Sequence, residues 1–182
     1  MNTVLIVEDE KMIRQGIKSM IQRSGVPVQT IIECSNGQMA LEVLQSQQID
    51  VMFTDIRMPK MDGITLVQEM QKFQRRPLTV VISGYDDFSY AVEMLRMGVK
   101  EYILKPIDRE QIMSIMHKME DELTHIKEEQ DTLRQAGYQQ LRFLCTSEKV
   151  SAEDEELTGR YYQDSFLQGE YEVCCCSYDG EE

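Results

Sequence analysis

No apolar run in this 182-residue chain approaches the roughly 18 residues needed to span a bilayer. The opening stretch MNTVLIVEDEK reaches acidic residues after five apolar positions, which excludes a secretory signal peptide and leaves a cytoplasmic location, with no membrane partner, as the expectation. Cysteine pairing is also missing: of five cysteines, Cys34 and Cys145 stand alone and Cys174, Cys175 and Cys176 are consecutive. That spacing suits neither a disulfide framework nor a CxxC zinc site, because neighbours in a strand point to opposite faces. There is no basic excess either. Net charge is −13, with 16 Lys+Arg against 21 Asp+Glu in residues 1–137 and 3 against 11 in residues 138–182. Direct nucleic-acid binding by this chain is therefore not expected.

What is present is alternation. Short β-branched runs (TVLIV, QTIIEC, DVMFT, LTVVIS, EYILK) are separated by amphipathic stretches at about Lys11–Ser24, Gln38–Ser46, Gly63–Phe73 and Phe88–Gly98, with a last one from Arg109 onward. Strand and helix alternating five times predict a doubly wound α/β fold, a five-stranded parallel sheet with helices on both faces and an extended C-terminal helix. Asn36, Asp86 or Asp87, and Asp108 with Gln111 stand where the second, fourth and fifth helices need N-caps.

Ligands of such sheets bind beyond the carboxyl ends of the strands. Glu8, Asp9 and Glu10 follow the first strand, Asp55 the third, Ser83 and Gly84 the fourth, and Lys105 and Pro106 the fifth. Clustered carboxylates in a crevice repel one another, and a cation relieves the repulsion. Hard oxygen donors favour Mg²⁺, so Asp9 and Asp55 are the candidate direct ligands, with Glu8 acting through water and the backbone carbonyl of Arg57 completing the set. Lys105 would pair with Asp55 or with a phosphoryl oxygen, Ser83 would donate to another, and Gly84 would keep the approach open. A Lys105–Pro106 cis bond is possible on energetic grounds.

In LIVEDE, DVMFTDIRMPKMDG, VVISGYDD and YILKPID the chain resembles the receiver domains of two-component response regulators, over residues 1 to about 120. The resemblance implies a flavodoxin-like, CheY-like fold, with Asp55 as phosphoacceptor for a sensor histidine kinase, Glu8 and Asp9 as metal-binding acids, Ser83 and Tyr102 as switch residues and Lys105 as the site lysine. It implies a module that catalyses only its own phosphorylation and dephosphorylation, not a turnover enzyme. The stretches SGYDDFSYA and GVKEYILKPID resemble the branch with AraC-type DNA-binding output, which implies transcription regulation through a DNA-binding domain absent from this chain. A stand-alone receiver acting through protein contacts is the alternative. A haloacid-dehalogenase-type enzyme would need a second Asp where Arg57 stands, and a flavodoxin-like electron carrier a Ser/Thr-rich phosphate loop where EDEK stands.

From Ile112 the apolar positions Met116, Met119, Leu123 and Ile126, then Gln130 and Leu133, recur at heptad spacing. They predict a helical linker over residues 108–136, ended by Gly137, forming a parallel homodimer in which Glu122 faces Lys127 and Glu129 faces Arg134 of a second copy. His117 and His125 lie off the seam and are expected to be exposed. Residues 138–182 read as the incomplete start of a further domain.

Overall fold

The computed structural model describes residues 1–84, 92 and 94–146, with side chains through residue 136. Five strands, β1 (Thr3–Val7), β2 (Thr30–Cys34), β3 (Val51–Asp55), β4 (Leu78–Ser83) and β5 (Glu101–Leu104), form one sheet in the order β2-β1-β3-β4-β5, every pair parallel. The helices are α1 (Lys11–Gln22), α2 (Gly37–Ser46), α3 (Gly63–Met70) and a C-terminal helix (Arg109–Thr146). The expected helix over Phe88–Gly98 and its cap at Asp86 or Asp87 fall largely outside the described residues, though 94–96 are helical. Among the described residues no helix is long and apolar enough to cross a membrane.

Strand periodicity builds two cores. Val4 and Ile6 of β1, Val51 and Phe53 of β3, Val80 and Ile82 of β4 and Ile103 of β5 pack with Ile17 and Ile21 of α1 and with Ile112, Met116 and Met119 of the C-terminal helix. The alternate positions Leu5, Val7, Met52 and Val81 pack on the other face with Ala40 of α2, Leu66, Val67 and Met70 of α3, and Met94. Because successive side chains point to opposite faces, a strand apolar at every position must be covered twice. The central strands β3 and β4 are buried along their whole length.

Caps stand where the sequence places them. The Asn36 side chain accepts from the Met39 amide at 3.0 Å and Asp108 from the Gln111 amide at 2.9 Å. Asp62 does the same for α3, accepting from Thr65 at 2.7 Å.

The C-terminal helix corrects two expectations. It runs through Gly137 to Thr146, since one helical glycine costs only about 1 kcal/mol relative to alanine and good helix formers flank it. Met116 and Met119, expected in a dimer seam, are fully buried in the chain's own core, and Leu123 is partly buried against it. The same apolar stripe that reads as a heptad seam is here spent on the sheet, so only Leu123 and the exposed Ile126, Gln130 and Leu133 remain for a partner. Glu122, expected to face a second copy, pairs with Lys100 of its own chain, and Lys118 pairs with Glu101. His117 and His125 are exposed, as expected.

Two glycines give opposite stability expectations. A Cβ on Gly63 would lie 2.1 Å from the Asp55 carbonyl oxygen, whereas one on Gly16, inside α1, would meet nothing within 4 Å. Gly63→Ala should lose about 1–3 kcal/mol through overpacking, and Gly16→Ala should gain about 0.5–1 kcal/mol from helix propensity. Urea midpoints moving in opposite directions are the expected result.

Candidate functional site

Three strand ends meet at one point. The Glu8 amide donates to the Cys34 carbonyl at 3.1 Å, extending the β1–β2 pairing one residue past the strand, and the Glu8 side chain is buried, 1% exposed. Asp55, the last residue of β3, is also buried, and its Oδ1 accepts from the Ile56 amide at 2.6 Å. Lys105 follows β5, and its backbone amide donates to the Ser83 carbonyl at 2.7 Å. Its Nζ donates to Asp55 Oδ2 at 2.7 Å and to Glu8 Oε2 at 2.9 Å. Asp9 is exposed beside them, and one carboxylate oxygen from each of Glu8, Asp9 and Asp55 falls within 4.8 Å of the others. The Lys105–Pro106 bond is cis.

The charges are unequal in environment. Burial raises the Glu8 pKa above the ordinary carboxylate value; the hydrogen bond from Lys105 works against this and the neighbouring Asp55 charge adds to it. For Lys105 burial acts to lower the pKa, but hydrogen bonds to Asp55 and Glu8 outweigh it and hold the ammonium charged above its ordinary range. Three carboxylates against one ammonium leave excess negative charge in a partly dry crevice. The donor set is oxygen only, three carboxylates within reach of one small ion, which is the chemistry that fits Mg²⁺.

The loop after Asp55 is fastened at several points. Met61 donates to the Pro59 carbonyl at 2.9 Å, Gly63 to the Ile56 carbonyl at 2.8 Å, and Gly37 at the start of α2 to the Met61 carbonyl at 3.0 Å. Lys60 takes φ 69°, in the left-handed region that a lysine seldom occupies. Only glycine fits at position 63, where the chain turns back against the Asp55 backbone.

Of the other expected site residues, Ser83 is fully buried at the end of β4. Gly84 is exposed, and a Cβ there would meet only Lys105 Cδ at 4.0 Å, an ordinary contact, so the fold itself does not require glycine at 84. Tyr102 lies half-buried on β5, opposite Val81, and packs against the core beside α3. Arg57 is exposed at the start of the loop.

Two residues of this neighbourhood escape sequence reading. Asp62 carries an N-cap signal, an aspartate directly before an apolar-periodic run. Arg14 carries none: it reads as one more polar residue on an amphipathic helix, yet its Nη1 donates to the Glu8 carbonyl at 2.5 Å.

The response regulator receiver domain family matches residues 4–117. The chain is 29% identical to the transcriptional regulatory protein YesN of Bacillus subtilis over 95% of this chain and 50% of YesN. It is 33% identical to the transcriptional regulatory protein HptR of Staphylococcus aureus over 64% of this chain and 45% of HptR. It thus spans about half the length of the curated relatives it matches. Among solved structures, the response regulatory domain of mrkE from Klebsiella pneumoniae is 28% identical, with a TM-score of 0.63 over 68% of this chain and 98% of that one. The receiver domain of AraT, a response regulator from Geobacillus stearothermophilus, is 36% identical, with a TM-score of 0.61 over 69% and 97%.

A raised Glu8 pKa has a stability consequence whose sign is fixed. Below the ordinary carboxylate value of 4.5 Glu8 is protonated whether the chain is folded or not, and nothing is lost. As pH rises past that value the unfolded chain ionises first, so stability falls until the folded pKa is passed. Glu8→Gln should therefore be more stable than the parent at pH 7 without divalent metal and should lose part of this pH dependence. Urea titrations at pH 4 and pH 7 in chelator check it; equal stability at pH 7 would contradict the assignment.

Proposed function

The chain belongs to the response regulator receiver family, and from that footing we infer that Asp55 accepts a phosphoryl group from the phosphohistidine of a sensor histidine kinase. The observation that carries the reading is the meeting of Asp55, Glu8, Asp9 and Lys105 at the carboxyl ends of β1, β3 and β5 in one sheet. Receiver domains are signalling modules rather than turnover enzymes, and they bind Mg²⁺ at an acidic site. Here Asp9 and Asp55 would hold the ion directly, Glu8 through water and Arg57 by its backbone carbonyl. When bound, Mg²⁺ supplies charge neutralisation of the phosphoryl oxygens.

The chain's own residues do the rest. Asp55 offers a carboxylate oxygen as nucleophile, and its other contacts keep it aimed: the Ile56 amide on Oδ1 and Lys105 on Oδ2. Lys105 exchanges part of its pairing with Asp55 for a phosphoryl oxygen, holding charge without a proton transfer. The incoming oxygens lie beside the end of β4, where the Ser83 hydroxyl turns toward them and Gly84 leaves the approach unobstructed. Tyr102 on the neighbouring strand then repacks, and the surface of β5 and the C-terminal helix changes.

The output is transcription regulation by a part of the protein that this chain does not cover. Two features support it: the relatives named as transcriptional regulators are about twice as long as the aligned region, and the YesN match continues past the receiver. Residues 1–120 act as the receiver, residues 108–136 as a linker, and residues 138–182 as the start of the next domain. The setting is cytoplasmic, without direct nucleic-acid binding by this chain. The linker forms a weak parallel homodimer through Leu123, Ile126, Gln130 and Leu133.

Two experiments test these readings. Incubation with a small phosphodonor and Mg²⁺ should add one hydroxylamine-labile phosphoryl group by mass, and Asp55→Asn should abolish it, because an amide is not a nucleophile toward phosphorus. Labelling of the variant at the parent level would remove Asp55 from the site. For assembly, sedimentation of a chain ending at Thr124 beside the full chain should show self-association only in the longer form, and two monomers at high concentration would rule out the linker as a seam.

A further inference from the structure

Arg14 spans two elements that meet at the acidic loop. Side chains on a helix lean toward its N-terminus, and Arg14, in the first turn of α1, reaches back to donate from Nη1 to the Glu8 carbonyl at 2.5 Å, with the Asp9 carbonyl at 3.4 Å. Its Nε faces Glu33 Oε2 of β2 at 3.4 Å. Glu33 is itself held by Gln15 at 2.6 Å and by Lys18 at 2.6 Å. The Glu8 peptide is thus gripped on both sides, its amide by the Cys34 carbonyl and its own carbonyl by Arg14, while Glu8 Oε1 accepts from the Glu10 amide at 3.2 Å. Asp9, the exposed acid of the cluster, has its backbone between these fixed points.

We propose that Arg14 is a positioning residue for the metal-binding acids, tying the Glu8–Asp9 backbone to β2 so that both carboxylates converge with Asp55. This rests on the phosphoacceptor reading given above. Its chemistry is that of an outer partner which orients a ligand without touching the ion; losing such partners weakens metal binding by about 10–100-fold. The planar fork of a guanidinium suits the task, since it serves a carbonyl and a carboxylate at once, where a lysine ammonium is a single point.

Charge alone predicts the opposite sign. A cation beside an acidic site repels Mg²⁺, so a purely electrostatic Arg14 would, on removal, leave binding tighter. Calorimetric titration of the full chain with Mg²⁺ alone should instead show Arg14→Ala binding at least tenfold more weakly, with labelling by a small phosphodonor restored near the parent rate at saturating Mg²⁺. Arg14→Lys keeps the charge and loses the fork, so it should also bind more weakly, to a smaller degree. It decides the matter alone if Arg14→Ala fails to fold. Unchanged affinity in Arg14→Lys together with unchanged or tighter binding in Arg14→Ala overturns the positioning role and leaves the phosphoacceptor reading intact. A parent chain that shows no saturable Mg²⁺ binding overturns both.

Discussion

The Lys105 ammonium, shared between Glu8 and Asp55, is the interaction on which the site depends. Two carboxylates buried this close repel strongly when the dielectric is low, and a cation between them offsets that repulsion. Lys105 supplies that cation from 97 residues away in sequence for Glu8 and 50 for Asp55. Such a contact exists only if β1, β3 and β5 end at the same level of one parallel sheet. The fold and the charge cluster are therefore one constraint seen from two sides. The arrangement also leaves the cluster acidic overall, so it favours a further cation.

Around this cluster the backbone is held more firmly than the side chains. Asp55 sits on a strand buried along its whole length, and the loop after it is fixed to α2 and α3 by amide–carbonyl bonds. Gly63 lets that loop close against the Asp55 peptide at a distance no Cβ would tolerate. On the phosphoacceptor reading proposed above, this rigidity has a chemical use. A carboxylate that must meet a phosphoryl group in line gains from being held within a fraction of an ångström, and a scaffold of strand and cross-braced loop supplies this.

Most of this was legible because strand periodicity and turn chemistry are local signals. TVLIV, DVMFT and LTVVIS announce buried strands, and the residues just beyond them follow from the rule that ligands gather at strand ends. Arg14 was not legible, because a residue that acts on a neighbouring backbone leaves no pattern of its own. Gly137 misled for a related reason: a helix stop signal is a small energetic preference that neighbouring residues override. The Asp62 cap has a local signal, an aspartate directly before an apolar-periodic run, but it stands inside the loop motif DIRMPKMDG, whose pattern overlies it.

The C-terminal helix shows where sequence pattern underdetermines structure. Apolar residues at alternating spacings of three and four describe a stripe, and a stripe is buried equally well by a second helix or by a sheet. What separates the two is how much unburied surface the rest of the chain presents, which no local window contains. Here β1, β3, β4 and β5 leave Val4, Ile6, Phe53, Ile82 and Ile103 needing cover, and Ile112, Met116 and Met119 supply it. The pairs Lys100–Glu122 and Lys118–Glu101 fix that part of the helix to the edge of β5. Ile126 and Leu133, farther along the same stripe, stay exposed. The first turns of this helix are thus spent on the receiver core, and the remainder of its apolar stripe is left to solvent.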